Sequence, residues 1–139
     1  MSWRSWTDYG YGIPLQNDYN FETIKKFIIK RLNPEDDRIP ELKDAEDEYD
    51  IYDLFDQSLA HLIASMIRQE TGYNTFKGFD SCGDTYQVAY IGFGERLPWE
   101  IGEKDKELTK YVAWELLAKY SKELGIDELP GDFVAEYCG

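Results

Sequence analysis

Residues 50–72, DIYDLFDQSLAHLIASMIRQETG, carry the longest run of regularly spaced apolar side chains in the chain. The apolar residues recur there at spacings of three and four, which is the repeat of one helical face. Gly72 follows the last of them and is the residue type that most often ends a helix. The pattern predicts one core helix over Asp50–Gly72, although its start can lie a few residues earlier. Its apolar members are Ile51, Leu54, Phe55, Leu59, Leu62, Ile63, Met66 and Ile67.

Two more helices are predicted on either side of this one. The first runs from Asn20 or Phe21 to Leu32, because Asn20 is a favourable N-cap and a proline follows at position 34. The second runs from about Glu103 to Leu124 and ends at Gly125. In both helices acidic residues lead and basic residues trail, in the sense that the helix dipole favours.

Strands are predicted after the central helix. Asn74–Phe79 and Thr85–Phe93 are rich in aromatic and β-branched residues, and a turn-like segment over 80–84 separates them. Such a pattern is typical of an antiparallel hairpin. Phe133–Cys138 either adds a third strand or packs as an extended arm. The predicted fold is a single α+β domain over residues 1–139, with three helices packed on a small antiparallel sheet.

The first 19 residues are predicted to form an irregular segment, because Gly10, Gly12 and Pro14 interrupt regular structure. Two roles for its aromatic rings stay open. The rings cover the core, or they form a contact surface through which an adaptor or structural domain associates. The rings in question belong to Trp3, Trp6, Tyr9 and Tyr11.

Composition limits the classes of function. The chain has 139 residues, 42% of them hydrophobic, and a net charge of −13. So much negative charge opposes direct binding to nucleic acid or to an anionic membrane and favours basic partners. No signal-peptide core or membrane span is visible, and we expect a cytoplasmic protein. Cys82 and Cys138 fit reduced thiols, although a bridge between them stays open. The sequence does not indicate an oligomeric state.

Motifs of catalysis and of cofactor binding are missing from the sequence. It has no phosphate-binding loop, no dinucleotide fingerprint and no metalloprotease or nucleophile-elbow motif. We therefore expect a protein that is not an enzyme and that holds no cofactor or metal ion. One alternative is a small hydrolase or ligand-binding protein that uses carboxylates around the hairpin. It would need a pocket joining Asp80, Asp84, Glu95 and His61, the only histidine.

Negative charge is concentrated just before the central helix. Residues 33–57 contain eleven acidic and two basic residues, a net charge of −9. We predict an acidic loop over 33–50 that, with the first turns of the next helix, forms a ridge binding a basic surface of a partner. The alternative is that these acids only match a helix dipole and keep the segment solvated. The predicted contact residues are Asp36, Asp37, Glu41, Asp44, Glu46, Asp47, Glu48, Asp50 and Asp53, with Tyr49 and Tyr52 as aromatic anchors.

In general character the chain resembles a known class of small proteins. The aromatic opening with Ser2-Trp3 and Tyr9-Gly10-Tyr11-Gly12, the acidity and the lack of catalytic motifs look like small acidic proteins of phages and mobile elements in Gram-positive bacteria. Some proteins of that type are anti-CRISPR inhibitors, several of which fill the nucleic-acid channel of a nuclease with acidic side chains. The resemblance implies an inhibitor or nucleic-acid mimic, possible partners among CRISPR or other defence nucleases, and no individual residue roles.

Overall fold

The computed structural model of the chain describes residues 5–15, 19–73, 75–79, 89–94, 97 and 108–138. Within these residues the fold is α+β, as the sequence predicts, with five helices instead of three and a sheet of four antiparallel strands. The elements in chain order are β1 (Ser5–Leu15), α1 (Phe21–Arg31), α2 (Ile39–Asp44), α3 (Glu48–Phe55), α4 (Leu59–Thr71), β2 (Phe76–Phe79), β3 (Ala89–Phe93), α5 (Lys110–Leu124) and β4 (Gly131–Cys138).

The strands lie in the order β2-β3-β1-β4. β2 pairs with β3 in antiparallel register, with Phe76 opposite Phe93, so the predicted hairpin is confirmed over these residues. Its turn and the start of its second strand, residues 80–88, lie outside the described part of the chain. The C-terminal tail is a strand and not a loose arm, because β4 pairs with β1 along its whole length.

β1 corrects the prediction of an irregular N-terminal segment over residues 1–19. Residues 5–15 form an inner strand that pairs with β3 on one side and β4 on the other. Every second side chain of β1 points toward the core, namely those of Tyr11, Ile13 and Leu15. The glycines and the proline that suggested irregular structure, Gly10, Gly12 and Pro14, alternate with them on the opposite face. Gly12 stands opposite Gly92, where a side chain would overlap the carbonyl group of Ile91. Glycine is therefore required by the close approach of two strands.

The rings of this segment have different surroundings. Tyr11 is a core residue with 4% of its surface exposed, whereas Tyr9 is 57% exposed. The core-cover interpretation is right for Tyr11 and wrong for Tyr9. The side chains of Trp3 and Trp6 lie outside what the structure describes.

The helices α4 and α5 pack on the sheet face that carries Ile13, Phe76 and Ile91. α4 lies against β2 and β3 so closely that a Cβ atom at Gly78 would come within 2.6 Å of the Ala60 backbone. α5 lies against β1 and α1. On the other face of the sheet, the rings of Tyr90 and Phe133 stack with centroids 4.5 Å apart.

The single helix predicted over Asp50–Gly72 is two helices. α3 ends at Asp56, which adopts a left-handed conformation with φ 55° and ψ 33°, and α4 begins after Ser58. Aspartate tolerates that conformation better than most residues, and serine is a favourable N-cap type. Phe55 and Leu59 are four residues apart, so the apolar repeat continues across the break and does not reveal it. Gly72 ends α4 as predicted.

The remaining helix boundaries agree with the sequence at most ends. α1 starts at Phe21, and the side chain of its N-cap Asn20 accepts a hydrogen bond from the Thr23 amide at 3.2 Å. The last helix ends at Gly125 as predicted, but it starts at Lys110 after an N-cap at Thr109. Its predicted first turn, 103–107, lies outside the described residues. No helix in the described ranges is long and apolar enough to cross a bilayer.

Candidate partner-binding surface

The acidic segment predicted as a loop over 33–50 folds in part into α2 and the start of α3, while residues 33–38 and 45–47 are not helical. Leu42, Ala45 and Ile51 are buried in the core and fix one side of the segment. The polar side chains consequently face outward along both short helices. The segment is therefore an ordered part of the domain that packs on the core.

Lys25 of α1 fastens the end of α2. Its Nζ atom donates hydrogen bonds of 2.9 Å to the carbonyl oxygens of Lys43 and Ala45. It also lies 3.2 Å from a carboxylate oxygen of Glu22, although the lysine itself is buried. A cation placed at the last carbonyl groups of a helix is stabilised by the helix dipole.

Two of the predicted contact residues shape the start of α3. The Asp47 carboxylate accepts hydrogen bonds from the amides of Tyr49, at 3.0 Å, and Asp50, at 3.1 Å. The Asp50 carboxylate accepts the amide of Glu46 at 2.8 Å. Asp47 thereby satisfies two backbone donors that the first helical turn leaves unpaired, and Asp50 binds the residue before the N-cap. This structural role explains why the two positions are acidic without any need for a partner protein.

Asp36 is also engaged within the chain. Its carboxylate accepts two hydrogen bonds from the Arg38 guanidinium, at 3.0 and 2.8 Å, and one from the Arg38 amide at 2.9 Å. These bonds hold the pKa of Asp36 down to about 2. The guanidinium lies 4.3 Å from the ring centroid of Phe55, so Arg38 joins the segment before α2 to the end of α3.

Glu48 has a partner as well. It accepts a hydrogen bond from Tyr19, and burial together with the charge of Glu48 raises the pKa of that phenol to about 12. Glu48 nevertheless remains exposed.

The other predicted acids face solvent. Asp37, Glu41, Asp44, Glu46 and Asp53 are exposed, and none of them forms an ion pair or side-chain hydrogen bond with another residue in the described ranges. We call the exposed predicted residues, apart from the N-cap Asp47, the acidic surface. It consists of Asp37, Glu41, Asp44, Glu46, Glu48, Tyr49, Tyr52 and Asp53.

The two tyrosines of the acidic surface are the feature that solvation does not explain. Tyr49 and Tyr52 lie three residues apart on α3, with 72% and 51% of their surfaces exposed, while Ile51 between them is buried. Residues at this spacing are neighbours on a helix surface. Two large exposed rings therefore lie on the outer side of α3, near exposed carboxylates.

The structure describes only one residue of the alternative hydrolase or ligand-binding site. His61 is exposed on α4, whereas Asp80, Asp84 and Glu95 lie outside the described residues. Among the described residues there is no group of three potential metal ligands. The hydrolase interpretation therefore stays an untested prediction.

A shallow depression of about 270 Å³ lies at the end of α5, lined in part by Ser121, Ile126 and Glu128. The Ser121 hydroxyl group donates toward the carbonyl oxygens of Ile126, at 2.9 Å, and Glu128, at 3.0 Å. No histidine is among the described residues that line the depression.

A polar network that the sequence does not predict joins three helices. Arg31 of α1 binds both carboxylate oxygens of Glu123 on α5 at 2.8 Å and also Glu70 on α4 at 2.8 Å. The Tyr120 hydroxyl donates to Glu70 at 2.9 Å. Burial and then Glu70 raise the pKa of Tyr120 to about 12, and Arg31 lowers the pKa of Glu123. These residues are far apart in sequence and form no recognisable sequence motif. Their hydrogen bonds hold the three helices together.

Comparison with protein-family models, with curated proteins and with solved structures gives no match to this chain.

Proposed function

We propose that this protein is a non-enzymatic acidic inhibitor or nucleic-acid mimic that binds a basic surface of a partner through the acidic surface. The observation that carries the proposal is the exposure of Tyr49 and Tyr52 near carboxylates on a helix that is anchored in the core by the buried Ile51. Acidic charge alone accounts for solubility. Exposed rings beside the charge also provide aromatic anchors, which lose their water when they are buried against a partner.

The frame that holds the acidic surface supports this role. Lys25 fixes the end of α2, and Asp47 and Asp50 fix the start of α3. Arg38 joins the segment before α2 to the end of α3. Because these contacts already set the backbone, little conformational entropy remains to be lost on binding. The acidic surface is therefore preorganised.

A nucleic-acid channel is the partner surface that matches best. Duplex DNA places one charge about every 1.7 Å along its axis, so proteins that hold it present rows of lysine and arginine. The acidic surface offers six carboxylates on α2, on α3 and on the residues that flank α2, and it would occupy such a row. A partner of this kind is a nucleic-acid-binding enzyme, for example a CRISPR or other defence nuclease, reached in the cytoplasm.

The test is affinity capture of proteins from a lysate of the native host, with mass-spectrometric identification. The wild type should retain a basic nucleic-acid-binding protein at low salt and lose it at high salt, because exposed charges are screened. Excess duplex DNA should displace that protein if the acidic surface mimics nucleic acid.

Two double variants separate the acidic surface from general charge. Asp44→Lys/Asp53→Lys reverses two acids of the acidic surface that form no cap, near helix C-termini where lysine is tolerated. Glu115→Lys/Asp127→Lys makes the same change in net charge on exposed positions of α5 and the following loop. The first variant should lose the captured protein and the second should keep it. Equal capture by both would sink the proposal.

A further inference from the structure

β4 is an open edge of the sheet that the described residues form. It is the outermost of the four strands and pairs with β1 through eight consecutive residue pairs, from Ser5 opposite Cys138 to Gly12 opposite Gly131. In an antiparallel edge strand, alternate residues direct their backbone N–H and C=O groups away from the sheet. No described residue pairs with that side of β4.

The edge carries only some of the features that usually protect such strands. Proteins block edges with short strands, charged side chains (lysine above all), proline or bulges, and β4 has of these only the charges of Asp132 and Glu136. β2, on the opposite edge, has four residues and an exposed Lys77. β4 has eight residues, GDFVAEYC, with no lysine and no proline, and its register with β1 runs without a bulge.

An exposed apolar pair lies directly beside this open edge. Tyr9 of β1 stands opposite Val134 of β4, and the two side chains are 57% and 48% exposed. Tyr11, two residues farther along the same face, is almost fully buried under the start of α5, where Lys110 Nζ lies 5.5 Å from its ring centroid. The helix layer therefore stops between Tyr11 and Tyr9, and the paired strands continue past it.

The charge of these strands indicates what would bind there. β1 and β4 contain Asp8, Asp132 and Glu136 and no basic residue. A second copy would bring the same acids and its own net charge of −13. Pairing of two β4 strands about Val134 would place Asp132 opposite Glu136 of the copy, and like charges in opposed positions are destabilising. A strand carrying lysine or arginine faces no such repulsion.

We propose that the open edge of β4 is a second docking site, which takes an extended segment bearing basic and β-branched residues from a partner protein as a fifth strand. Backbone hydrogen bonds along β4 supply affinity, and the Tyr9–Val134 pair receives an apolar side chain of the added strand. This site is independent of the acidic surface on α2 and α3.

The probe is a labelled nine-residue peptide in which lysine alternates with valine and threonine, titrated against the full chain by fluorescence anisotropy. The matched peptide has proline in place of each valine, which keeps the charge and removes the ability to form a strand. We expect the proline peptide to bind about tenfold more weakly. On peptide binding, slowed hydrogen exchange should appear in residues 131–138.

Protein variants locate the site. Tyr9→Thr/Val134→Thr keeps residues suited to strands and should weaken the valine peptide about tenfold. In the acidic-surface variant Asp44→Lys/Asp53→Lys the preference for the valine peptide should persist, so failure here and failure of the proposed function are distinguishable. Circular dichroism confirms that each variant is folded. The proposal is overturned if both peptides bind equally, if protection appears elsewhere, or if the chain is a dimer whose residues 131–138 are protected without peptide.

Discussion

Asp36 and Asp37 are adjacent and chemically alike, yet they have different surroundings. Asp36 accepts three hydrogen bonds from Arg38, whereas Asp37 faces solvent without an ion pair to any described residue. The sequence shows that both are acidic but does not show which one a neighbouring arginine engages. This is why the eleven predicted contact residues separate into structural and exposed groups only once the backbone is known.

The pKa of Asp36 tests the Arg38 contact. The carboxyl group should titrate at about 2 in the folded protein, below its ordinary value of 3.8. Since the pKa is lower in the folded state, the contact stabilises the fold at pH values above the ordinary pKa. This contribution disappears as the pH falls toward 2. In Arg38→Gln the pKa should return toward 3.8. Carboxyl-carbon NMR titration measures both, and an unshifted midpoint in the wild type refutes the contact.

Lys25 is the residue whose loss should most directly loosen the acidic surface. Lys25→Met removes the donor to the carbonyl oxygens of Lys43 and Ala45 and should lower the free energy of unfolding by about 1–3 kcal/mol. Urea unfolding measures the change. Lys26→Met is the matched control, because Lys26 is exposed on the same helix and its loss should cost no more than about 0.5 kcal/mol. Equal effects would show that the buried lysine contributes nothing specific.

Among the helices and strands, the sequence predicts those that have a regular apolar repeat or a recognisable cap. It places α1, the hairpin strands and the ends of α4 and α5 near their observed positions, because caps and apolar repeats are local. It misses the break between α3 and α4, since the repeat continues through it. It also misses β1, because the glycines and the proline of that strand resemble breaks in regular structure. They lie on one face of the strand, and the apolar residues of its core lie between them on the other face.

The break at Asp56 leads to a pair of opposite predictions. Asp56→Gly should raise the melting temperature, because glycine adopts the left-handed conformation without strain and the gain is about 0.5–1 kcal/mol. Asp53→Gly, three residues earlier inside α3, should lower it by a cost of about 1 kcal/mol. Thermal unfolding followed by circular dichroism measures both. A continuous helix through Asp56 would make both substitutions destabilising.

At the scale of the whole molecule, sequence reasoning reaches the fold class and the location of the charge but not the strand order or the long-range contacts. The Arg31 network joins residues on three helices, and no local pattern records that arrangement. Strand order likewise depends on which segments meet after collapse. The division of the acidic segment into an anchored side and an exposed side also follows from tertiary packing, through Leu42, Ala45 and Ile51.

The most direct measurement is calorimetric titration of the captured partner over a series of salt concentrations. The wild type should bind with an affinity that falls linearly with salt on logarithmic axes. Asp44→Lys/Asp53→Lys should bind about a hundredfold more weakly with a shallower slope, and Glu115→Lys/Asp127→Lys should bind like the wild type. If the two variants match each other in affinity and slope, the acidic surface is not the binding site.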